Sequence, residues 1–275
     1  MMNIKMRFPG FKYKAFTLSY DDGVTQDIRL LQIMEKYGVK GTFNINSGLF
    51  GYGKRMVADN LPTLYENQEV AVHGHKHLSL QGLDTGMICQ DIIKDRELLE
   101  TLFNRVIKGM AYAYGTYDET VLNTLKACGI SYSRTTYNTD DFSLPKDWLQ
   151  WHTTCHHNSP KLMEYAEKFL AVDDGDYARR TSEPKLFFVW GHSSEFDDND
   201  NWEVIENLLK KVGGKDDIWY ATNGEIYEYT ENFRKLQFSA DGKLVYNPTA
   251  QDMYMVAGGK EVVAKAGATT RTTEE

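Results

Sequence analysis

Apolar positions along the chain alternate between two periods, and this alternation predicts repeated β/α units. Runs such as 15–20 and 69–72 have the length and composition of buried strands. Between them lie segments such as 25–37, whose apolar residues recur every three or four positions, and Gly38 ends that predicted helix. About seven such units follow one another, which favours a parallel sheet, open or closed into a barrel.

The segment 137–158 interrupts this alternation. It is rich in aromatic and histidine residues and too long for a simple connection, so we predict it to be irregular. The predicted strands are 15–20, 39–45, 69–72, 106–114, 130–136, 186–190 and 218–222. The predicted helices are 25–37, 88–103, 118–128, 161–170, 202–212 and 225–234.

The pattern changes again after residue 235. Short apolar runs are separated there by dipeptides typical of hairpin turns, namely Asp241-Gly242, Asn247-Pro248 and Gly258-Gly259. We therefore predict a main α/β domain over residues 1–235, a small β-hairpin appendage over 236–266, and a polar, mobile tail over 267–275.

Charge and hydropathy exclude several classes of partner. The chain carries a formal net charge of −8 and no block of lysines and arginines, so we expect no nucleic-acid partner. No apolar stretch is long enough to cross a membrane, and residues 1–7 lack the apolar run of a signal peptide, which favours a cytoplasmic location. The three cysteines, Cys89, Cys128 and Cys155, are widely spaced, and we expect reduced thiols.

Two adjacent carboxylates end the first predicted strand. Asp21 and Asp22 would repel each other at the end of a buried strand unless a cation compensates their charge. Ligands of α/β folds bind at the carboxyl ends of strands. The pair therefore marks a candidate site, although Asp-Asp-Gly also suits an ordinary turn.

The seven histidines supply the second signal, because none lies on the apolar face of a predicted helix. His73, His75 and His77 follow the third predicted strand, and His192 follows a later one. Two imidazoles with a carboxylate from elsewhere are the ligand set of a hydrolytic Zn²⁺ or similar divalent site. We prefer His73 with His77, since side chains two positions apart diverge, but pairs that include His75 stay open.

Four short segments resemble the motifs of the polysaccharide deacetylases of carbohydrate esterase family 4. Ser19-Tyr20-Asp21-Asp22-Gly23 resembles Thr-Phe-Asp-Asp-Gly, and His73-Gly74-His75-Lys76-His77 resembles His-x-x-x-His. Ala111-Tyr112-Ala113-Tyr114-Gly115 stands in the place of Arg-x-Pro-Tyr-Gly, and Trp190-Gly191-His192 in the place of Leu-x-His. The resemblance implies an α/β fold with a distorted barrel of fewer than eight parallel strands, which agrees with the roughly seven units predicted here.

The resemblance also implies a role for each matching residue. By position it assigns the general base to Asp21, the metal ligands to Asp22, His73 and His77, the oxyanion donor to the main-chain N–H of Tyr114, and the general acid to His192. This division of labour suits deacetylation, because a base must take a proton from water and the leaving amine must be protonated.

One departure concerns the arginine that pairs with the catalytic aspartate in this family. Ala111 takes its place, and we expect Arg134 to supply the cation that keeps Asp21 ionised. The alternative is that Arg134 is an ordinary surface arginine. For the carboxylate that orients the acid histidine, the sequence offers three equal candidates, Asp140, Asp141 and Asp147.

The aromatic residues near the histidines are candidates for substrate binding. Trp148 and Trp151 suit stacking on a sugar ring, although tryptophans are as often part of a core. His156 offers a polar contact, and Trp190 stands two residues before His192. Cys155 is a bystander in this interpretation, since hydrolysis already has its metal.

Together these residues favour a metal-dependent hydrolase that removes acetyl groups from an N- or O-acetylated sugar or polysaccharide. Zn²⁺ is the expected metal, with Co²⁺, Ni²⁺, Mn²⁺ or Fe²⁺ as alternatives. A second hypothesis is an amidase for a small cyclic amide or imide, which the missing arginine and the absence of an export signal favour slightly. A third is a carbohydrate-binding relative without catalysis, against which the retention of Asp21 argues.

Overall fold

The central element of the computed structural model is a parallel sheet whose strands alternate with helices. The structure describes residues 3–172, 175 and 181–272. The strands described are β1 (Ile4–Arg7), β2 (Lys14–Asp21), β3 (Gly41–Ile45), β4 (Glu69–Val72), β5 (Gly109–Ala111), β6 (Tyr132–Asn138), β7 (Trp151–Thr153), β8 (Cys155–His156), β9 (Lys185–Gly191), β10 (Ile218–Tyr220), β11 (Gln237–Phe238), β12 (Leu244–Tyr246), β13 (Met253–Ala257), β14 (Lys260–Ala264) and β15 (Thr269–Arg271). The helices described are α1 (Asp27–Lys36), α2 (Leu61–Leu64), α3 (Thr85–Phe103), α4 (Glu119–Ala127), α5 (Leu162–Leu170), α6 (Ser194–Asp198), α7 (Glu203–Val212) and α8 (Asn223–Arg234).

Strands β2 to β9 form the barrel. They pair in the order β7-β6-β5-β4-β3-β2-β9-β8, and every pair is parallel. Strands β7 and β8 flank Thr154, whose backbone N–H donates to Phe188 O over 2.9 Å. Residues 151–156 therefore close the barrel between β6 and β9, and the predicted α/β barrel of about seven parallel strands is confirmed.

One edge of β2 is shared by two strands, which distorts the barrel. β10 pairs with the first part of β2 and β3 with the second part. The start of α8 fills this end of the barrel, where the Gly224 N–H donates to the Glu69 carboxylate over 2.7 Å and the Asn223 amide oxygen accepts from Thr17 over 3.0 Å. Because this end is packed, the open mouth lies at the carboxyl ends of the strands.

β2 is buried on both faces, and the two faces differ in chemistry. Phe16, Leu18 and Tyr20 pack in a large apolar cluster with residues of the surrounding helices. The alternate residues point into the barrel, where Ser19 Oγ accepts from Asn44 and Asp21 meets Arg134. The two-residue period of a strand thus carries Asp21 into the barrel mouth.

Two small antiparallel sheets accompany the barrel. One joins β1, β13 and β14, so the N-terminal strand belongs with the C-terminal strands. The other joins β11, β12 and β15, so the predicted tail is ordered at Thr269–Arg271, while residues 273–275 lie outside the described part of the chain. The sequence missed the β1–β13 and β12–β15 pairings because they join segments that are far apart in the chain, which no local pattern signals.

The segment 137–158 is more ordered than the sequence predicted. It contains a turn of 3₁₀ helix at Trp148–Gln150, followed by β7 and β8. Strands of two or three residues are too short to produce an alternating pattern, which is why the prediction was wrong here. Among the helices that the structure describes, none combines the length and the apolar character needed to cross a membrane.

Candidate active site

Asp21 lies at the carboxyl end of β2 and is 2% exposed. The buried Arg134 guanidinium donates to Asp21 Oδ2, and Asn44 Nδ2 donates to Oδ1 over 2.8 Å. Burial alone would raise the pKa of Asp21, but the nearby positive groups, Arg134 first among them, outweigh it and hold the pKa below its ordinary value. Asp21 is therefore an ionised and oriented carboxylate, and Arg134 lies where the sequence analysis expected the cation.

Three side chains beside Asp21 converge as a candidate metal site. The ligand atoms of Asp22, His73 and His77 all lie within 4.8 Å of one another. His73 Nδ1 donates to the backbone oxygen of Ala111 over 2.8 Å, which leaves the lone pair on Nε2. Burial is the main cause that lowers the pKa of His77 to about 4, so this imidazole is neutral, as a metal ligand must be. Two imidazoles and a carboxylate fit Zn²⁺ or a similar divalent ion.

His75 lies apart from this group, which separates the histidine pairs that the sequence left open. Its Nδ1 is 3.1 Å from Ser47 Oγ, and Ser47 Oγ donates to Asp95 Oδ1 over 2.6 Å. The other oxygen of Asp95 accepts the backbone N–H of His73 over 3.1 Å. His75 thus belongs to a buried network that supports the loop, while the structure brings His73 and His77 to the candidate site.

The loop that carries both histidines has a constrained backbone. Gly74 has φ +82°, and a Cβ at this position would lie 2.6 Å from Asp91 Oδ2. His77 has φ +53°, a left-handed conformation that residues other than glycine rarely adopt. Asp91 on α3 accepts a loop N–H over 2.9 Å, and Asn46 Nδ2 donates to two loop carbonyls. Polar side chains on both sides therefore hold the loop in the shape that brings the imidazoles together.

Arg55, which the sequence analysis did not single out, also reaches the candidate metal site. Its Nη2 lies 2.8 Å from Asp22 Oδ1, and the same oxygen lies 3.6 Å from His77 Nε2. A single β-bridge between Val24 and Arg55 places it there. Because that bridge is tertiary, no local pattern marks Arg55. Its charge offsets that of Asp22 and helps orient the carboxylate.

His192 follows β9 and approaches Asp21 from a different strand than the metal-site residues. Its Nε2 lies 3.8 Å from Asp21 Oδ2, and its Nδ1 donates to Glu195 Oε1 over 2.7 Å. Burial alone would lower the pKa of His192, but the hydrogen bond to Glu195 and the charge of Asp21 outweigh it and raise the pKa above its ordinary value. His192 is therefore disposed to hold a proton on Nε2.

The carboxylate that orients His192 is Glu195, and none of the three sequence candidates, Asp140, Asp141 and Asp147, takes this place. Asp141 and Asp147 instead accept backbone N–H groups of their own loop. Glu195 lies in the first turn of α6, three residues after His192, a spacing at which side chains meet on a helical turn. That spacing was the available sequence signal for Glu195. The three sequence candidates all precede His192, so the prediction missed it.

Comparison with known proteins links the first half of the chain to one family. Residues 10–133, which include both carboxylates and the loop His73–His77, match the family model described as polysaccharide deacetylase. This part of the chain is therefore similar to the polysaccharide deacetylase family. No curated protein matches the chain. The match to the family model ends before Arg134 and His192, so only geometry ties these two residues to the site.

Solved structures of proteins described as polysaccharide deacetylases or as family 4 esterases are similar to this chain at low sequence identity. A Mycobacterium smegmatis protein assigned as a polysaccharide deacetylase has a TM-score of 0.55 and 15% identity, and the match covers 84% of this chain and 94% of that chain. A family 4 acetyl xylan esterase of Clostridium thermocellum, solved with a cobalt ion, has a TM-score of 0.51 and 15% identity, with 79% and 92% covered. A family 4 pseudoenzyme of Bacillus anthracis has a TM-score of 0.49 and 17% identity, with 81% and 68% covered.

The third motif of the polysaccharide deacetylase family is altered here, and the neighbouring strand fills the gap. Ala111 stands in the place of the family's arginine, and in the parallel ladder its partner on β6 is Arg134. The guanidinium therefore enters the barrel from the next strand, with its carbon 4.4 Å from the centre of the Trp190 ring. Tyr114 has φ +59°, and its ring centre lies 4.6 Å from that of His77. The oxyanion role of the Tyr114 N–H stays a prediction.

The structure places the tryptophans in the core instead of on an open sugar-binding surface. Trp148 and Trp151 are 8% and 1% exposed, and Trp151 packs against Phe188 with ring centres 5.0 Å apart. The Trp148 N–H donates to a glutamate of α8 over 2.6 Å. We therefore correct the prediction that these two residues stack on a sugar, because buried rings cannot contact one. Trp190 is also 8% exposed and covers Arg134.

His156, the fourth candidate substrate residue, is half-buried near His192. Its ring centre lies 4.6 Å from that of Trp190, and its Nε2 lies 3.4 Å from Glu195 Oε2. His156 is therefore engaged with protein groups behind His192.

Proposed function

We propose that the chain is a metal-dependent deacetylase that removes acetyl groups from an N-acetylated, or O-acetylated, sugar or polysaccharide. The observation that carries the proposal is the position of Asp21 between two imidazoles. One belongs to the candidate metal site, and the other is the candidate general acid. Asp21 Oδ2 lies 3.7 Å from Nε2 of His73, a candidate metal ligand, and 3.8 Å from Nε2 of His192. A base and an acid on either side of one reacting centre are what hydrolysis of an amide requires.

Asp22, His73 and His77 would hold the metal, with Zn²⁺ as the first candidate and Co²⁺, Ni²⁺, Mn²⁺ or Fe²⁺ compatible with the same donors. When bound, such a metal polarises the acetyl carbonyl and lowers the pKa of water. The cobalt ion of the Clostridium thermocellum esterase supports a metal requirement in a protein of the same fold.

The remaining steps are carried out by side-chain and main-chain groups of the protein itself. Asp21, kept ionised by Arg134, accepts a proton from the attacking water. The main-chain N–H of Tyr114 is the proposed donor to the oxyanion. His192, held by Glu195 at Nδ1, donates a proton from Nε2 to the leaving nitrogen. An amine is a poor leaving group unless it is protonated, so His192 matters most for N-acetyl substrates.

Two other functions would use the same fold. A small cyclic amide or imide needs the same base and acid, so an amidase is the second candidate. A relative without catalysis is the third candidate. Burying the Asp21–Arg134 pair costs desolvation free energy. A protein that only bound a metal would not need this pair, so its presence favours an active enzyme.

The test measures acetate release from N-acetylated and O-acetylated sugars, and ring opening of cyclic imides. The proposal predicts acetate release that stops after chelation, returns with a divalent metal, and is lost in Asp21→Asn although the metal is still bound. Imide hydrolysis without acetate release would favour the amidase. Bound metal without turnover of any substrate would favour the inactive relative.

A further inference from the structure

Glu195 receives more polar contacts than the orientation of His192 requires. Asn158 Nδ2 donates to Glu195 Oε2 over 2.7 Å, and Nε2 of His157 and of His156 lie 3.1 and 3.4 Å from the same oxygen. Burial alone would raise the pKa of Glu195, but these imidazoles and His192 outweigh it and hold the pKa well below its ordinary value. We call His156, His157, Asn158 and Glu195 the Glu195 cluster.

His157 is built into the fold beside Glu195. It is 0% exposed, and its ring lies against those of Tyr20 and Phe196, with centres 5.7 and 4.3 Å apart. Its contact with Glu195 is close but not aligned as a hydrogen bond, so it is chiefly electrostatic. A Cβ at Gly191 would lie 2.1 Å from His157 Nδ1. The residue before His192 is therefore a glycine because the His157 ring occupies the space.

The same atoms resemble a second metal site, since the ligand atoms of His156, His157 and Glu195 lie within 4.8 Å of one another. The backbone N–H of Asn158, however, donates to His156 Nδ1 over 3.1 Å. A neutral imidazole that accepts at Nδ1 carries its proton on Nε2. His156 therefore presents an N–H to Glu195 and not the lone pair that a metal needs.

We propose that His156, His157 and Asn158 are positioning residues that act on His192 through Glu195. The inference rests on the proposed function, because His192 matters only as the general acid. The three residues engage Oε2, so that Oε1 stays against His192 Nδ1. The proton on Nδ1 is then held in place, and Nε2 is the nitrogen that gains and loses a proton during turnover. The other charged groups that face His192 are the carboxylates of Asp21 and Asp22.

Two variants test the proposal against a matched histidine control. His157→Phe keeps a ring between Tyr20 and Phe196 but removes both nitrogens, and Asn158→Ala removes the shortest contact to Oε2. The control is His152→Ala, because His152 lies in the same segment but contacts Thr135 and Tyr137 instead of Glu195.

We expect His157→Phe and Asn158→Ala each to lower kcat for an N-acetyl sugar about 10-fold and to leave KM unchanged. This loss is a part of the ~10²–10⁴-fold rate increase that a general acid provides. An activated acetyl ester, whose leaving group needs no proton, should react at close to the wild-type rate. The alkaline limb of the amide profile should move to lower pH, as in Glu195→Gln, because loss of the carboxylate contact lowers the pKa of His192. The control should change none of these.

A double-variant cycle shows whether the effect passes through Glu195. His157→Phe should have no further effect in a Glu195→Gln background, and additive effects would overturn the proposal. A wild-type ratio of amide to ester rates in both cluster variants would also overturn it. The proposal would also be overturned if the wild type bound two metal equivalents per chain and His157→Phe bound only one, because that outcome would identify a second metal site.

A spectroscopic readout separates this inference from the proposed function. If the wild-type protein turns over no amide or ester, the proposed function fails, but the histidine tautomers can still be measured by nitrogen-15 NMR. Above the pKa of His192, where the ring is neutral, we expect the Nδ1–H tautomer in the wild type and a mixture in Asn158→Ala and His157→Phe. An unchanged tautomer in both variants would overturn the cluster's role in either case.

Discussion

Replacement of Arg134 by methionine should reveal how strongly the site depends on one buried ion pair. The side chains of Arg134 and Asp21 are 0% and 3% exposed, so water cannot compensate either charge. Removing one partner of a buried pair leaves the other uncompensated and costs ~3–5 kcal/mol. Methionine retains much of the apolar stem, which limits any cavity. We therefore expect Arg134→Met to lower the free energy of unfolding at neutral pH by ~3–5 kcal/mol.

The assay is urea unfolding followed by tryptophan fluorescence, with an exposed ion pair as the control. Lys168 and Glu164 on α5 lie 2.6 Å apart, with 61% and 53% of their side chains exposed. Lys168→Met should therefore cost far less, because solvent screens that pair. Asp21→Asn/Arg134→Met removes both buried charges and should regain part of the stability lost in Arg134→Met. If Arg134→Met costs no more than Lys168→Met, the argument from burial is wrong.

Three further predictions address the loop, the core and the thiols. Asp95→Ala should weaken Co²⁺ or Zn²⁺ affinity ~10–100-fold, because Asp95 accepts the backbone N–H of His73. The control Asp84→Ala removes only the N-cap of α3 and should leave the affinity unchanged. Trp151→Ala should cost ~3–5 kcal/mol of stability in urea unfolding with KM unchanged, and a raised KM with normal stability would restore the sugar-stacking hypothesis. The sulfurs of Cys89 and Cys128 lie 3.6 Å apart, so diamide should oxidise these two thiols and spare Cys155, which mass spectrometry of alkylated peptides would check.

The parts of the site that the sequence could predict are those with a local signal. Asp21, His73 and His192 each follow a buried apolar run, and parallel strands bring their carboxyl ends to one mouth. Arg134 was predictable only as a compensating charge, because its register opposite Ala111 is a property of the assembled sheet.

The parts that the sequence missed depend on tertiary contacts or on ambiguous side chains. Arg55 reaches Asp22 through one long-range bridge, and β1 pairs with β13 from the other end of the chain. A tryptophan suits a sugar ring and a barrel core equally well, so composition alone could not place Trp151. Glu195 had a local signal in its spacing from His192, but the three carboxylates that the sequence analysis considered all precede His192.

The most direct test of the central claim is metal content per chain in folded protein after dialysis against a trace of Zn²⁺. The account predicts one equivalent in the wild type and in Asp21→Asn, and almost none in His73→Ala and His77→Ala, because these two imidazoles with Asp22 form the donor set. Circular dichroism would confirm that each variant is folded. A full equivalent retained by both histidine variants would contradict the assignment of the metal site and the hydrolytic mechanism built on it.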